Sequence, residues 1–137
     1  MIRPIMRQRF FLQQASTDAG ADDALIVEDL VQTLEAHRAT CVGMAANMIG
    51  QRKRIIAVVD NDGSTLVMLN PRIVRKSGPY DTKEGCLSLD GVRPTTRYRN
   101  IVVEYQDKDL RPQVAKRSGN VAQAIQHEID HCNGIII

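Results

Sequence analysis

The chain has 137 residues, enough to bury a hydrophobic core as one domain over 1–137 without disulfide bonds. Its 43% apolar share, 25% charged share and net charge of +2 are ordinary for a globular protein; with scattered basic residues and few aromatics for base stacking, they argue against direct nucleic-acid binding. No apolar run reaches the length of a membrane span, no signal-peptide core stands at the start, and Cys41, Cys86 and Cys132 cannot all pair, so a reduced, cytoplasmic protein is expected.

Along the chain, Asp22 and Asp23 precede Val27, Leu30, Val31 and Leu34 at helical spacing, which predicts an amphipathic helix with an acidic N-cap over 23–37. A small-residue segment follows over 41–50, with Gly43, Ala45 and Ala46 at its centre, where backbone can approach another group closely. Ile55, Ile56, Val58 and Val59 read as a buried strand over 54–60, Asp60-Asn61-Asp62-Gly63 as a turn, and 66–70 as the returning strand. Pro71 limits further ladder pairing, with Ile73 and Val74 as another short strand. A strand is expected over 101–106, then a turn at 107–109 and a weaker strand near 114–117. Ser118 or Asn120 caps a last helix that carries Val121, Ala122, Ile125 and Ile129 on its buried side, and 135–137 reads as a short closing strand. No βαβ repeat is visible. The expected class is α+β, with antiparallel β-sheets of short strands packed around a central C-terminal helix and an N-terminal amphipathic helix.

The chemistry concentrates on that last helix, in Gln126-His127-Glu128-Ile129-Asp130-His131. Two histidines four apart on a helix share one face, so both imidazoles can reach one metal ion, and Glu128 beside the first is placed to move protons at a water activated there. Only 132–137 follow, so the third ligand is expected upstream. Cys86, in Glu84-Gly85-Cys86-Leu87-Ser88, is the candidate. One thiolate and two imidazoles leave a tetrahedral ion one open position, and they suit Fe²⁺, Ni²⁺, Co²⁺ or Zn²⁺. Cys132 sits about 100° around the helix from His131 and should face away, while Cys41 reads as a packed thiol. Asp130 is a candidate to orient Arg97 or Arg99.

Together with Gly43-Met44-Ala45-Ala46-Asn47-Met48-Ile49-Gly50, these segments resemble the peptide deformylases, enzymes that remove the formyl group from the N-terminal methionine of new bacterial proteins. The segments come in that family's order, and the resemblance covers nearly the whole chain. It implies Cys86, His127 and His131 as ligands, ferrous iron as the natural ion, Glu128 as the proton-transfer group, and the Leu87 N–H as a donor to the reacting carbonyl oxygen. It also puts Arg93 near a peptide groove. Val42, Gly43, Glu84 and Gly85 are candidate peptide contacts, Ala124 lies where the methionine pocket is expected, and Met48 is a further candidate. The implied partners are N-formylmethionyl peptides emerging from the ribosome, handled by a monomer or weak homo-oligomer that engages no membrane.

Three positions depart from the family's GxGLAAxQ. Cys41 stands for the leading glycine, Met44 for leucine, and Met48 for the glutamine whose amide donates to the developing oxyanion. A thioether cannot donate, and losing such a donor typically costs ~10²–10³ in rate. Asn47 and Gln51 are the nearby amides. The family often continues into a further C-terminal helix, and Asn120 and Gln123 make the expected pocket more polar than a methionine side chain requires. Two other functions remain open from the sequence: a weakly active protein that binds formyl peptides, and a metallopeptidase.

Overall fold

The apolar run of the second strand is continuous because both of its faces are covered. In a computed structural model that describes residues 1–136, five antiparallel strands form one sheet in chain order: β1 (Gly43–Ala45), β2 (Ile55–Val59), β3 (Thr65–Cys86), β4 (Leu89–Gln106) and β5 (Pro112–Ser118). Successive side chains on a strand point to opposite faces. Ile56 and Val58 of β2 therefore pack with Ile125 and Ile129 of the last helix, α3 (Gly119–Cys132), while Ile55 and Ala57 pack with Leu30 and Leu34 of α2 (Ala24–Ala36). The class is α+β, as expected, with α3 seated on one sheet face and α2 on the other.

The strands are longer than their sequence signal. The segments expected at 66–70 and 73–74 are parts of β3, and 101–106 is the end of β4. The outer arm of this hairpin pairs Ser77 with Asn100, Asp81 with Thr96 and Thr82 with Thr95. Those polar side chains carry no apolar alternation, so hydrophobic periodicity does not announce the arm; across it Thr96 donates to Asp81, and Lys76 and Arg99 lie over Tyr98 and Tyr80. Pro71 falls in a register shift between the Leu69 and Arg72 pairs, where a missing N–H breaks no ladder bond. Beside it Asn70 adopts a left-handed φ of 52°, and its amide bonds to the Ala19 backbone and to Gln106.

Helix ends also differ from expectation. The Asp23 carboxylate accepts the Gly20 N–H at 2.8 Å, closing a short 3₁₀ turn (Ala21–Asp23) and not capping α2. Ser118 occupies the position before α3 but makes no capping bond. The closing strand expected at the end does not form at 135–136: Gly134 turns the chain with φ 74°, and the Ile135 N–H returns to the Asp130 carbonyl at 2.9 Å. Ile137 lies outside the described residues. The N-terminal arm, including α1 (Arg9–Leu12), has no periodic signal, yet it is tied down through Met6 N–H to Met48 C=O and Ser16 N–H to Cys132 C=O. Among the described residues no helix is long and apolar enough to cross a membrane.

Candidate metal centre and active-site cavity

Asn120, Gln123, Ala124, His127 and Glu128 follow the spacing of one helix face, and this face of α3 forms one wall of a cavity of about 650 Å³. The hairpin tip of β3 and β4 forms a second wall, and Cys41, Val42, Gly43 and Met48 a third. At the tip, Cys86 pairs with Leu89 across a two-residue turn, Leu87-Ser88. The strands approach closely because Gly85 has no side chain; a Cβ there would come 3.0 Å from the Gly91 carbonyl oxygen.

Cys86, His127 and His131 converge at this point, with their donor atoms all within 4.8 Å of one another. The two Nε2 atoms stand 3.2 Å apart. Two nitrogens bound at ~2.0–2.1 Å to a tetrahedral ion are separated by about 3.3 Å. The donor set therefore fits a tetrahedral cation. The His127 Nδ1 lies 2.8 Å from Glu84 Oε1. A carboxylate accepts, so Nδ1 carries the hydrogen and the Nε2 lone pair faces Cys86 and His131.

Glu84 is fixed in turn. Arg97 Nε donates to both of its oxygens at 3.1 Å and Nη2 to Oε1 at 2.7 Å, while Gln123 Nε2 donates to Oε2 at 2.7 Å. Arg97 also reaches Asp130 Oδ2 at 2.5 Å. Burial alone would raise the Glu84 pKa, but bonds from His127, Arg97 and Gln123 hold it down to about 2. Ring protonation is split by the same surroundings. Burial opposes charge on His127, yet Cys86, Glu128 and Glu84 push it up to about 10; burial, then the neighbouring His127 charge, push His131 down to about 3. An ion held by Cys86, His127 and His131 would displace the His127 ring proton from Nε2, leaving that lone pair to coordinate.

Glu128 is 4% exposed, and its Oε1 has no hydrogen-bond partner among the described residues. Burial raises its pKa to about 7, against the lowering effect of His127. Gly43 leaves room for this carboxylate, since a Cβ there would lie 3.0 Å from Oε2. A buried acceptor without a partner, facing a cavity, is poised to take a proton from what enters.

Several sequence expectations shift. Glu84, expected to touch peptide, lines the cavity but is buried, with its charge engaged by Arg97, His127 and Gln123, and Arg93 lies opposite it in the ladder, donating to the Asp90 carbonyl and not lining the cavity. Val42, Gly43, Met48, Gly85, Leu87 and Ala124 do line it. Asp130 engages Arg97, whereas Arg99 lies over the Tyr80 ring. Gln123, expected as a polar wall, lines the cavity and turns its amide to Glu84; its place four residues before His127 was the available signal. Neither nearby amide replaces the missing glutamine: Asn47 Nδ2 donates to the His131 carbonyl at 2.9 Å, and Gln51 is exposed outside the cavity. Met48 is 1% exposed, and its Sδ accepts the Ala45 N–H at 3.5 Å. Cys132 packs in the core beneath α3, where burial pushes its thiol up to about 12.

Comparison with known proteins gives the same picture. Residues 3–137 match the family model described as polypeptide deformylase. A peptide deformylase from Clostridium beijerinckii is 47% identical over 138 residues, covering 100% of both chains. One from Dictyoglomus thermophilum is 38% identical over 113 residues, covering 82% of this chain and 72% of its own length. The crystal structure of a peptide deformylase from Legionella pneumophila superposes with a TM-score of 0.88 at 30% identity, over 99% of this chain and 83% of that one. With the Cys-His-His convergence and the buried glutamate in place, the chain belongs to the polypeptide deformylase family.

Proposed function

We propose that this cavity hydrolyses the formamide of N-formylmethionyl peptides around one divalent ion held by Cys86, His127 and His131, with Glu128 as the proton carrier. Removal of N-formyl groups from new polypeptides is the activity of the family, and the family is metal-dependent. The observation that carries the reading is the meeting of one sulfur and two ring nitrogens beside a buried carboxylate. A sulfur-containing set suits Fe²⁺, our choice for the native ion, and also accommodates Zn²⁺, Ni²⁺ or Co²⁺.

An ion bound there supplies a Lewis acid for the formyl oxygen and lowers the pKa of water from about 16 toward neutrality. Glu128 Oε1 accepts a proton from the water as its oxygen attacks the formyl carbon. Glu128 then returns that proton to the amide nitrogen as the C–N bond breaks, releasing formate and a free N-terminus. The Leu87 N–H donates to the developing oxyanion. The peptide lies as an added strand beside Val42, Gly43 and Gly85, and Ala124, Met48 and the Gln123 methylenes receive the methionine side chain. One domain over 1–137, acting in the cytoplasm as a monomer or weak oligomer and without direct contact to nucleic acid, suffices for this reaction. Three free thiols fit a reducing compartment.

Met48 supports a second reading, a weakly active deformylase that holds formyl peptides more than it turns them over. Met48→Gln decides between them. Gln Oε1 can take over the Ala45 N–H while its amide donates to the oxyanion, so formate release should rise about 10- to 1000-fold; an unchanged rate would mean the oxyanion is already fully served. Glu128→Gln should lower formate release by about 10²- to 10⁴-fold with ion content unchanged, and retained turnover would remove Glu128 from the reaction. Glu84→Gln should weaken ion binding about 10- to 100-fold in a chelator competition, because the His127 ring loses its ionic anchor; unaltered affinity would show that Glu84 does not set the ligand.

A further inference from the structure

β1 is an edge strand, so half of its backbone groups have no strand to pair with. The Val59 N–H donates to the Val42 carbonyl at 2.9 Å, and the register pairs Gly43 with Val58, Met44 with Ala57 and Ala45 with Ile56. Bonded and non-bonded pairs alternate in an antiparallel ladder. Gly43 and Ala45 therefore turn their N–H and C=O groups away from β2, toward the open edge beside the cavity that Gly43 lines. On that edge the Gly43 carbonyl and the Ala45 N–H each meet a sulfur. The Cys41 Sγ–H donates to the Gly43 carbonyl at 2.8 Å, and the Ala45 N–H donates to Met48 Sδ at 3.5 Å. Cys41 and Met48 stand at two of the three positions where this segment departs from the family pattern.

Glu128 is an independent feature of this edge that points to a ligand. Its Oε1 is buried without a partner among the described residues, and its Oε2 lies 3.0 Å from where a Gly43 Cβ would be. An amide brought up to Glu128 for hydrolysis presents its own N–H beside the Gly43 carbonyl.

Building on the deformylase reading above, we propose that Cys41 is a substrate-positioning residue: its thiol occupies the Gly43 carbonyl until the N–H of the formylated residue displaces it. A thiol is a weak donor and an amide N–H a better one, so the exchange favours substrate while still costing the lost contact. Burial pushes the Cys41 thiol up to about 11, so it keeps its hydrogen at neutral pH.

The test is formyl-Met peptide kinetics with the full chain loaded with nickel, comparing wild type, Cys41→Ala and Cys41→Ser. Alanine removes the competitor and should lower KM about threefold; serine, a stronger donor, should raise it about threefold, with kcat moving less than KM in both. Equal KM values in all three proteins, or changes confined to kcat, would overturn the proposal. A wild-type protein that releases no formate would instead overturn the deformylase reading. A second readout does not depend on turnover. In Glu128→Gln, the Cys41 S–H infrared stretch, assigned by its loss on adding Cys41→Ala, should move to higher wavenumber when formyl-Met peptide binds. A band that stays in place would refute displacement of the thiol.

Discussion

One buried carboxylate joins the parts of the site. Glu84 on β3 accepts from Arg97 on β4 and from His127 and Gln123 on α3, so a single group fixes the hairpin tip against the helix. Taking such charges out of water costs several kcal/mol per ion, and their mutual attraction returns about as much, so the cluster contributes little net stability. What it provides is geometry. Arg97 holds Glu84 through three bonds from Nε and Nη2, Glu84 sets the hydrogen on His127 Nδ1, and His127 Nε2 is thereby aimed at Cys86 and His131. Asp130, on the turn of α3 that carries His131, closes the cluster from the other side of Arg97.

How much of this the sequence disclosed depended on the range of each interaction. The helix-borne pair His127 and His131, with Glu128 between them, is a local pattern, and helical geometry alone puts both rings on one face. The buried strand β2 was equally legible, because a sheet covered on both faces needs an uninterrupted apolar run. The long β3–β4 arm was not, since its polar side chains carry no alternation. The role of Glu84 as the anchor of His127 was not legible, because the two lie 43 residues apart and nothing local announces the bond. Arg97 was legible only as one of two candidates for Asp130. The 3₁₀ turn that uses Asp23 and the chain reversal at Gly134 rest on local bonds, Gly20 N–H to Asp23 and Ile135 N–H to the Asp130 carbonyl, which hydrophobic periodicity does not register.

The departures of the small-residue segment acquire a physical meaning in the fold. Met48 does not leave a hole where an amide would be; its sulfur satisfies the Ala45 N–H at the cavity-side edge of β1. Asn47, the nearest amide, is committed to the His131 carbonyl and so supports the end of the ligand helix. In the proposed reaction the oxyanion would be left to an ion held by Cys86, His127 and His131 and to backbone donors. Cys41, at the next outward group of the same edge, replaces open backbone with a thiol contact. The strand proposed to receive the peptide is capped by sulfur at both of these groups.

The central claim is that one sulfur and two imidazole nitrogens bind a single ion. X-ray absorption at the metal edge of the loaded protein tests it most directly. The expected shell holds one sulfur scatterer at about 2.3 Å together with two imidazole nitrogens at about 2.0–2.1 Å. A shell without sulfur, or one holding a second sulfur from Cys41, would contradict it.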